Sequence, residues 1–121
     1  MEKRMKVVIN RCFGGFGLSN EAMERVLDLK RITYYKETDK YNFVHYYTKA
    51  QNENEVDNQY IYEWEFERDD PALIQAVEEF GEKANGPHAS LKIVNIPDGI
   101  EWYVDEYDGR ETVRERHREW Y

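Results

Sequence analysis

The sequence predicts an α+β fold. It reads as a single compact domain, residues 1–121, with a mainly antiparallel sheet, two packed helices and a short C-terminal helix, in the order β-α-β-β-α-β-β-α. Three observations predict it. Two segments carry apolar residues at helical spacing behind good N-caps. Several short aromatic and β-branched runs read as strands. A length of 121 residues supplies one core and not two.

Met5–Asn10 reads as a buried strand around Val7-Val8-Ile9. Asn20–Lys30 reads as a helix, because Ala22, Met23, Val26, Leu27 and Leu29 form one apolar stripe behind Ser19, an N-cap residue, and Glu21, suited to the first turn. Tyr41–Thr48 is aromatic and β-branched, which predicts a strand. Residues 49–58 are polar and rich in Asn and Glu, and read as a loop. Gln59–Glu67 alternates, with Tyr60, Tyr62, Trp64 and Phe66 on one side and Ile61, Glu63, Glu65 and Glu67 on the solvent side. That period predicts a half-buried strand antiparallel to the preceding one.

Asp69-Asp70-Pro71 predicts a helix start, with an aspartate cap and proline at the first position. Leu73, Ile74, Val77 and Phe80 form its buried face, and Asn85-Gly86-Pro87 is the expected stop. Leu91–Ile96 and Glu101–Tyr107 read as strands joined through the turn residues Pro97-Asp98-Gly99. Asp108 followed by Glu111 resembles a capping box and predicts a last helix from Gly109 or Arg110.

Seventeen Lys and Arg against 25 Asp and Glu give a formal charge of −8, which argues against a general binder of DNA, RNA or anionic membrane. The acidity fits solubility, a basic protein partner or mimicry of nucleic acid. Cys12 is the single cysteine, so no internal disulfide is possible and a reducing compartment is expected. Met1-Glu2-Lys3-Arg4 leads into a strand rather than an apolar leader, and no run reaches transmembrane length, so the expected location is the cytoplasm. Ten Tyr, five Phe and three Trp suit a small core, an interface and base stacking alike.

The glycine-rich stretch from Arg11 to Ser19 lies between a strand and a helix. Such a turn aims backbone N–H groups at a helix start, where an anion is favoured. Its spacing matches neither the dinucleotide fingerprint nor a P-loop, which favours a tight turn that needs glycine over a phosphate-binding wall. The binding reading names Arg11, Phe13, Gly14, Gly15, Phe16, Gly17 and Ser19 as ligand contacts. It expects Gly15→Val to abolish binding while leaving the fold intact.

A second candidate is the C-terminal segment. On a helix, Arg110, Arg114 and Arg118 at i, i+4 and i+8 share a face beside a stripe of Glu111, Glu115 and Glu119, with Val113, His117 and Trp120 inward. A salt-bridged surface helix and an arginine row gripping phosphates account for this equally. His45, His88 and His117 are dispersed, so no metal site is expected. Cys12 reads as a small core residue, and no serine nucleophile motif is present. No catalytic residue and no cofactor are therefore expected.

Three stretches together resemble a widespread set of small phage and prophage proteins of unknown function. They are Ile9–Ser19, Asp70–Gly81 with Ala84-Asn85-Gly86, and Ile96–Ile100 followed by Tyr107-Asp108-Gly109 and His117–Trp120. In size, element order and C-terminal arginines the chain is also similar to the viral anti-Thoeris sponges. That resemblance implies a non-enzymatic homo-oligomer in the host cytoplasm during infection. It would sequester a cyclic nucleotide immune signal, a cyclic ADP-ribose isomer or a cyclic oligonucleotide, with no membrane and no direct nucleic-acid partner. Self-association is expected too from the aromatic surplus and from Trp120-Tyr121, which a monomer would expose. The alternative is an acidic inhibitor that binds a host defence protein, through the Glu63/Glu65/Glu67 edge and the 49–58 loop, as a possible DNA mimic. A small nucleotide-processing enzyme is third.

Overall fold

Val7, Val8 and Ile9 are fully covered on both faces, and the rest of the molecule is arranged around them. The computed structural model describes residues 4–48 and 60–115. The first strand, β1 (Arg4–Asn10), pairs antiparallel with β4 (Leu91–Pro97) in the register Val7↔Val94 and Ile9↔Lys92. Alternate side chains of this ribbon face opposite layers. Val8 and Ile93 face the helices α1 (Asn20–Leu29) and α2 (Pro71–Phe80). Val7, Ile9 and Ile96 face a hairpin of β5 (Trp102–Tyr107) and β6 (Arg110–Glu115), where they meet Val104 and Val113. A third hairpin, β2 (Tyr35–Thr38) with β3 (Val44–Tyr47), packs Tyr46 into the helical layer.

The helix starts follow the local chemistry read from sequence. Ser19 Oγ accepts from the Ala22 N–H at 3.2 Å, and Asp70 Oδ1 accepts from the Ala72 N–H at 2.8 Å with Pro71 behind it. Burying Ala22, Met23, Val26 and Leu27 against Leu73, Ala76 and Val77 holds the helix pair on the ribbon. Each large apolar side chain so covered is worth roughly 1.5–3 kcal/mol. The second helix stops earlier than expected. Gly81 turns the chain out at φ 56°, and a 3₁₀ turn over Gly81–Ala84 precedes Asn85-Gly86.

Three expectations are overturned. The last helix is strand β6: Asp108 (φ 52°) and Gly109 (φ 89°) form a two-residue hairpin turn between the paired residues Tyr107 and Arg110. Asp-Gly with both φ positive suits a type I′ turn, which matches the twist of the flanking strands. That chemistry overrides the capping-box pattern. Nor is there a strand over Gln59–Glu67. Tyr60 makes a single bridge to Tyr47, and the chain then winds into a 3₁₀ turn over Glu63–Glu65. Phe66 is buried, Tyr62 is exposed, and Glu63 is half-buried rather than on the solvent side. Gln59 and the Trp64 side chain lie outside the described residues. Finally, Tyr41–Thr48 is not one strand. It is the end of a hairpin turn followed by β3, and β2 before it is an element the sequence reading lacks.

That turn is organised by Asp39. Its Oδ1 accepts from the N–H groups of Tyr41 (2.8 Å) and Phe43 (3.0 Å), while Asn42 takes φ 67°. Aspartate and asparagine supply such local bonds and tolerate the left-handed region. Among the described residues, no helix is long and apolar enough to cross a membrane.

Candidate functional site

The glycine-rich loop after β1 is pressed between two other loops. A Cβ on Gly14 would lie 1.9 Å from the His88 carbonyl oxygen, and one on Gly86 would lie 2.9 Å from the Gly17 carbonyl carbon. Gly86 donates its N–H to Gly17 O at 3.0 Å, and Ser19 donates to Ala84 O at 2.8 Å. A Cβ on Gly109, at the hairpin turn, would meet Gly15 N and Phe13 O at 2.6 Å. Close backbone approach explains these glycines without a ligand. Gly15 has no such neighbour but sits at φ 95°, where a β-branched side chain is strained. Gly15→Val therefore tests the backbone before it tests binding, which corrects the expectation of an intact fold.

Asn10 ties the loop in place. Its Nδ2 donates to Cys12 O and Gly109 O, both at 2.7 Å, and its Oδ1 accepts from Ser90 N at 2.8 Å. Cys12 is half-buried, with its thiol directed at His88 O. The edge of β1 away from β4 is closed by two groups: Val8 donates its N–H to Arg68 O at 2.8 Å, and Asn10 donates its N–H to Glu111 Oε1 at 2.7 Å. Glu111 thus stands in for a strand partner. Asn10 and Arg68 were not named as candidates from sequence, and Glu111 was read there as a capping-box and helix-stripe residue; a polar Asn directly after Val7-Val8-Ile9 was the available signal.

The anion position before α1 is filled from within. The Leu18 N–H donates to Glu63 Oε2 at 3.3 Å, and a Cβ on Gly17 would lie 3.3 Å from Glu63 Oε1. A carboxylate held near a helix N-terminus is favourable for the same reason a phosphate would be.

The arginine row is also rearranged. On a strand, Arg110 and Arg114 lie on one exposed face, about 13 Å apart at roughly 3.3 Å per residue. That spacing is too long to fork one phosphate. Arg114 Nε bonds Asp105 Oδ2 at 2.6 Å, and the Arg110 guanidinium lies 6.0 Å from the centre of the Phe13 ring. Among the described residues, Phe13 and Arg110 are the loop–row pair brought together. Arg11 is exposed with its N–H bonded to Ser90 O. Arg118, His117, Trp120 and Tyr121 lie outside the described residues, as does the 49–58 loop. Gly15 and Phe16 line a cavity of about 380 Å³ with Arg68 and Glu106, but the Arg68 guanidinium there is bound by Glu111 and stacked 3.7 Å over Phe16.

A different cavity, of about 270 Å³, has the lining of a ligand site. Leu18, Asn20 and Met23 form its floor at the head of α1; His45 and Tyr46 come from β3; Tyr60, Tyr62 and Glu63 close it. The rings are ordered among themselves. Tyr60 and Tyr62 stack at 5.5 Å and 28°, Tyr47 and Tyr60 approach to 4.6 Å, and His45 meets Tyr60 edge-on at 6.0 Å. Tyr46 donates to Glu24 Oε2 at 3.1 Å, and burial together with that acidic neighbour raises its hydroxyl above the ordinary value. Tyr47 is pushed up to about 12 by its hydrogen bond with Tyr60 and by burial. His45 Nε2 bonds Asp39 Oδ2 at 2.8 Å, and that bond holds the Asp39 carboxyl below its usual range. Burial raises the Glu63 carboxyl against the opposing Leu18 N–H bond. A carboxyl shifted by burial inside a cleft is the pattern expected of a binding or reacting group.

Among the described residues, no cluster of three or more His, Cys, Asp or Glu side chains is placed to hold a metal ion. No protein-family model, curated protein or solved structure matches the chain.

Proposed function

We propose that the chain is a binding protein that captures a small ligand through a planar, nucleobase-sized group and holds it without converting it. The observation that carries this reading is the 270 Å³ cavity in which the stacked Tyr60 and Tyr62 rings stand beside the half-buried Glu63 carboxyl. Aromatic faces hold a planar group, and a carboxyl hydrogen-bonds its polar edge. Drug-sized ligands occupy about 300–1,000 Å³, so this volume suits one base rather than a whole cyclic nucleotide. The sugar and phosphates of such a ligand would extend outward.

The resemblance to phage proteins and to the anti-Thoeris sponges supplies the biological form of this reading. A cyclic nucleotide immune signal is sequestered in the cytoplasm of an infected cell, by a homo-oligomer. The experiment incubates the purified chain with lysate containing the signal, denatures it, and assays the released fraction for the intact nucleotide. Release of an intact nucleotide, reduced at least tenfold in Tyr60→Leu, is the expected result. Release of a processed product would make the protein an enzyme.

A second reading has its own support. Phe13 (61% exposed), Tyr41 (69%) and Tyr107 (80%), with Phe43, lie at hairpin turns and loops of a chain of charge −8. Exposed aromatics on an acidic surface suit docking to a basic protein. Tyr41→Ser with Phe43→Ser should abolish such docking and leave nucleotide capture unchanged.

A further inference from the structure

We propose, on the reading that the Tyr60/Tyr62 cavity is the ligand site, that its occupant is a planar organic cation: a heteroaromatic ring carrying positive charge, seated against the tyrosine faces with Glu63 as its counter-ion. Three observations converge on this chemistry.

The first is the distribution of charge. Among the described residues, no Lys or Arg lines the cavity, and the charged side chain on its wall is Glu63. Asp39 stands directly behind His45, and Glu24 stands behind the Tyr46 hydroxyl. The polar side chains lining the space are therefore one carboxyl, one imidazole, the Asn20 carboxamide and phenols, with two more carboxyls in the next layer. A phosphate placed inside would face the Glu63 carboxylate and, among the described residues, no cationic side chain.

The second is the state of Glu63. Among the described residues its carboxyl meets a single donor, the Leu18 N–H at 3.3 Å, and has no cationic partner. Two other covered carboxylates carry a cationic partner: half-buried Asp70 with Lys30, and buried Glu111 with Arg68. A carboxylate at the edge of a cavity with no counter-ion is the arrangement in which an incoming cation gains most, since it replaces lost hydration of the charge.

The third is the geometry of the rings. Tyr60 and Tyr62 are near-parallel, and His45 approaches Tyr60 edge-on. Ring faces carry negative quadrupole potential, which attracts a cation laid over them. A neutral base would stack on the same faces without the electrostatic gain. Charge on the ring is thus the property that this combination selects.

The test uses the full chain and two probes of nearly equal shape, nicotinamide and N1-methylnicotinamide, of which the second carries a fixed pyridinium charge. Each is titrated by calorimetry into wild type, Glu63→Gln, Tyr60→Phe and Tyr60→Leu. The expected result is that the cation binds wild type at least tenfold more tightly than the neutral probe. Glu63→Gln should reduce that ratio to threefold or less. Tyr60→Phe should retain it, and Tyr60→Leu should weaken the cation. Equal affinities in wild type, or a ratio unchanged in Glu63→Gln, would overturn the proposal. If neither probe binds but neutral nucleosides do so in a Tyr60-dependent way, the cation proposal fails and the ligand-site reading stands. If no probe or nucleoside binds, both fail. Should Glu63→Gln not fold, the wild-type ratio and the Tyr60 pair still decide.

Discussion

Arg68 and Glu111, 43 residues apart, form a bidentate ion pair (2.5 and 2.8 Å) in which Glu111 is 5% exposed, and the same carboxylate takes the N–H of Asn10. One side chain thereby joins the hairpin layer, the α2 approach and the free edge of the central strand. Removing Glu111 leaves the Arg68 guanidinium without its counter-ion and the Asn10 N–H without its acceptor. We expect Glu111→Ala to lose about 3–5 kcal/mol in urea denaturation. The double variant Arg68→Met with Glu111→Leu should lose much less than the sum of the singles. An additive pair would show that the carboxylate acts alone.

Gly14 and Gly15 are adjacent but constrained differently. A Cβ on Gly14 collides with the His88 carbonyl, whereas Gly15 is open but at φ 95°. Gly14→Ala should destabilise by about 1–3 kcal/mol or more through overpacking against backbone. Gly15→Asn should be milder, because Asn tolerates the left-handed region better than other residues. Equal melting temperatures for the two variants would count against the close contact.

The Glu63 carboxyl makes stability depend on pH with a definite sign. Its folded value is raised above the ordinary glutamate value of about 4.3, chiefly by burial. Between those two values the folded state binds more protons than the unfolded one, so stability falls as pH rises through that window. Above it the penalty is complete. Glu63→Gln keeps an acceptor for the Leu18 N–H and carries no charge. Its melting temperature relative to wild type should therefore increase as pH is raised from 4 to 7.

Arg110→Gln with Arg114→Gln should leave ligand capture by the Tyr60/Tyr62 cavity within about twofold of wild type. The exposed Arg114–Asp105 pair contributes roughly 0–1 kcal/mol, so thermal stability should also change little. A loss of two decades in affinity would restore the arginine row as a phosphate grip.

Asp39 should govern the β2–β3 hairpin. Its carboxylate accepts two turn N–H groups and the His45 ring. Asp39→Ala should raise amide exchange at Tyr41 and Phe43, readable by NMR.

Elements with caps and helical stripes were legible because their chemistry is local: Ser19 and Asp70 bind N–H groups two or three residues away. The errors arose where two local codes overlapped. Asp108-Gly109 serves equally as a hairpin turn and as the start of a capping box, and only pairing of Tyr107 with Arg110 decides between them. Tyr60 to Phe66 alternates like a strand, but the demand of Leu18 N–H for an acceptor draws Glu63 inward and turns the chain. The candidate cavity was hidden for a different reason: His45, Tyr60 and Glu63 meet through tertiary contacts that no spacing encodes. The glycine loop was correctly seen as special, although its tight contacts are with the protein's own backbone.

The pairing of β1 with β4 has a consequence for synthesis. β1 is made before the other described strands and is the most deeply covered of them, yet its ladder with Leu91–Pro97 cannot be completed until residue 97 has been made. Closing so long a loop is slow relative to forming the helices and the β2–β3 hairpin. The nascent chain therefore carries Val7, Val8 and Ile9 without their β4 partner until residue 97 is made, and β1 is where chaperone recognition and aggregation during expression should concentrate.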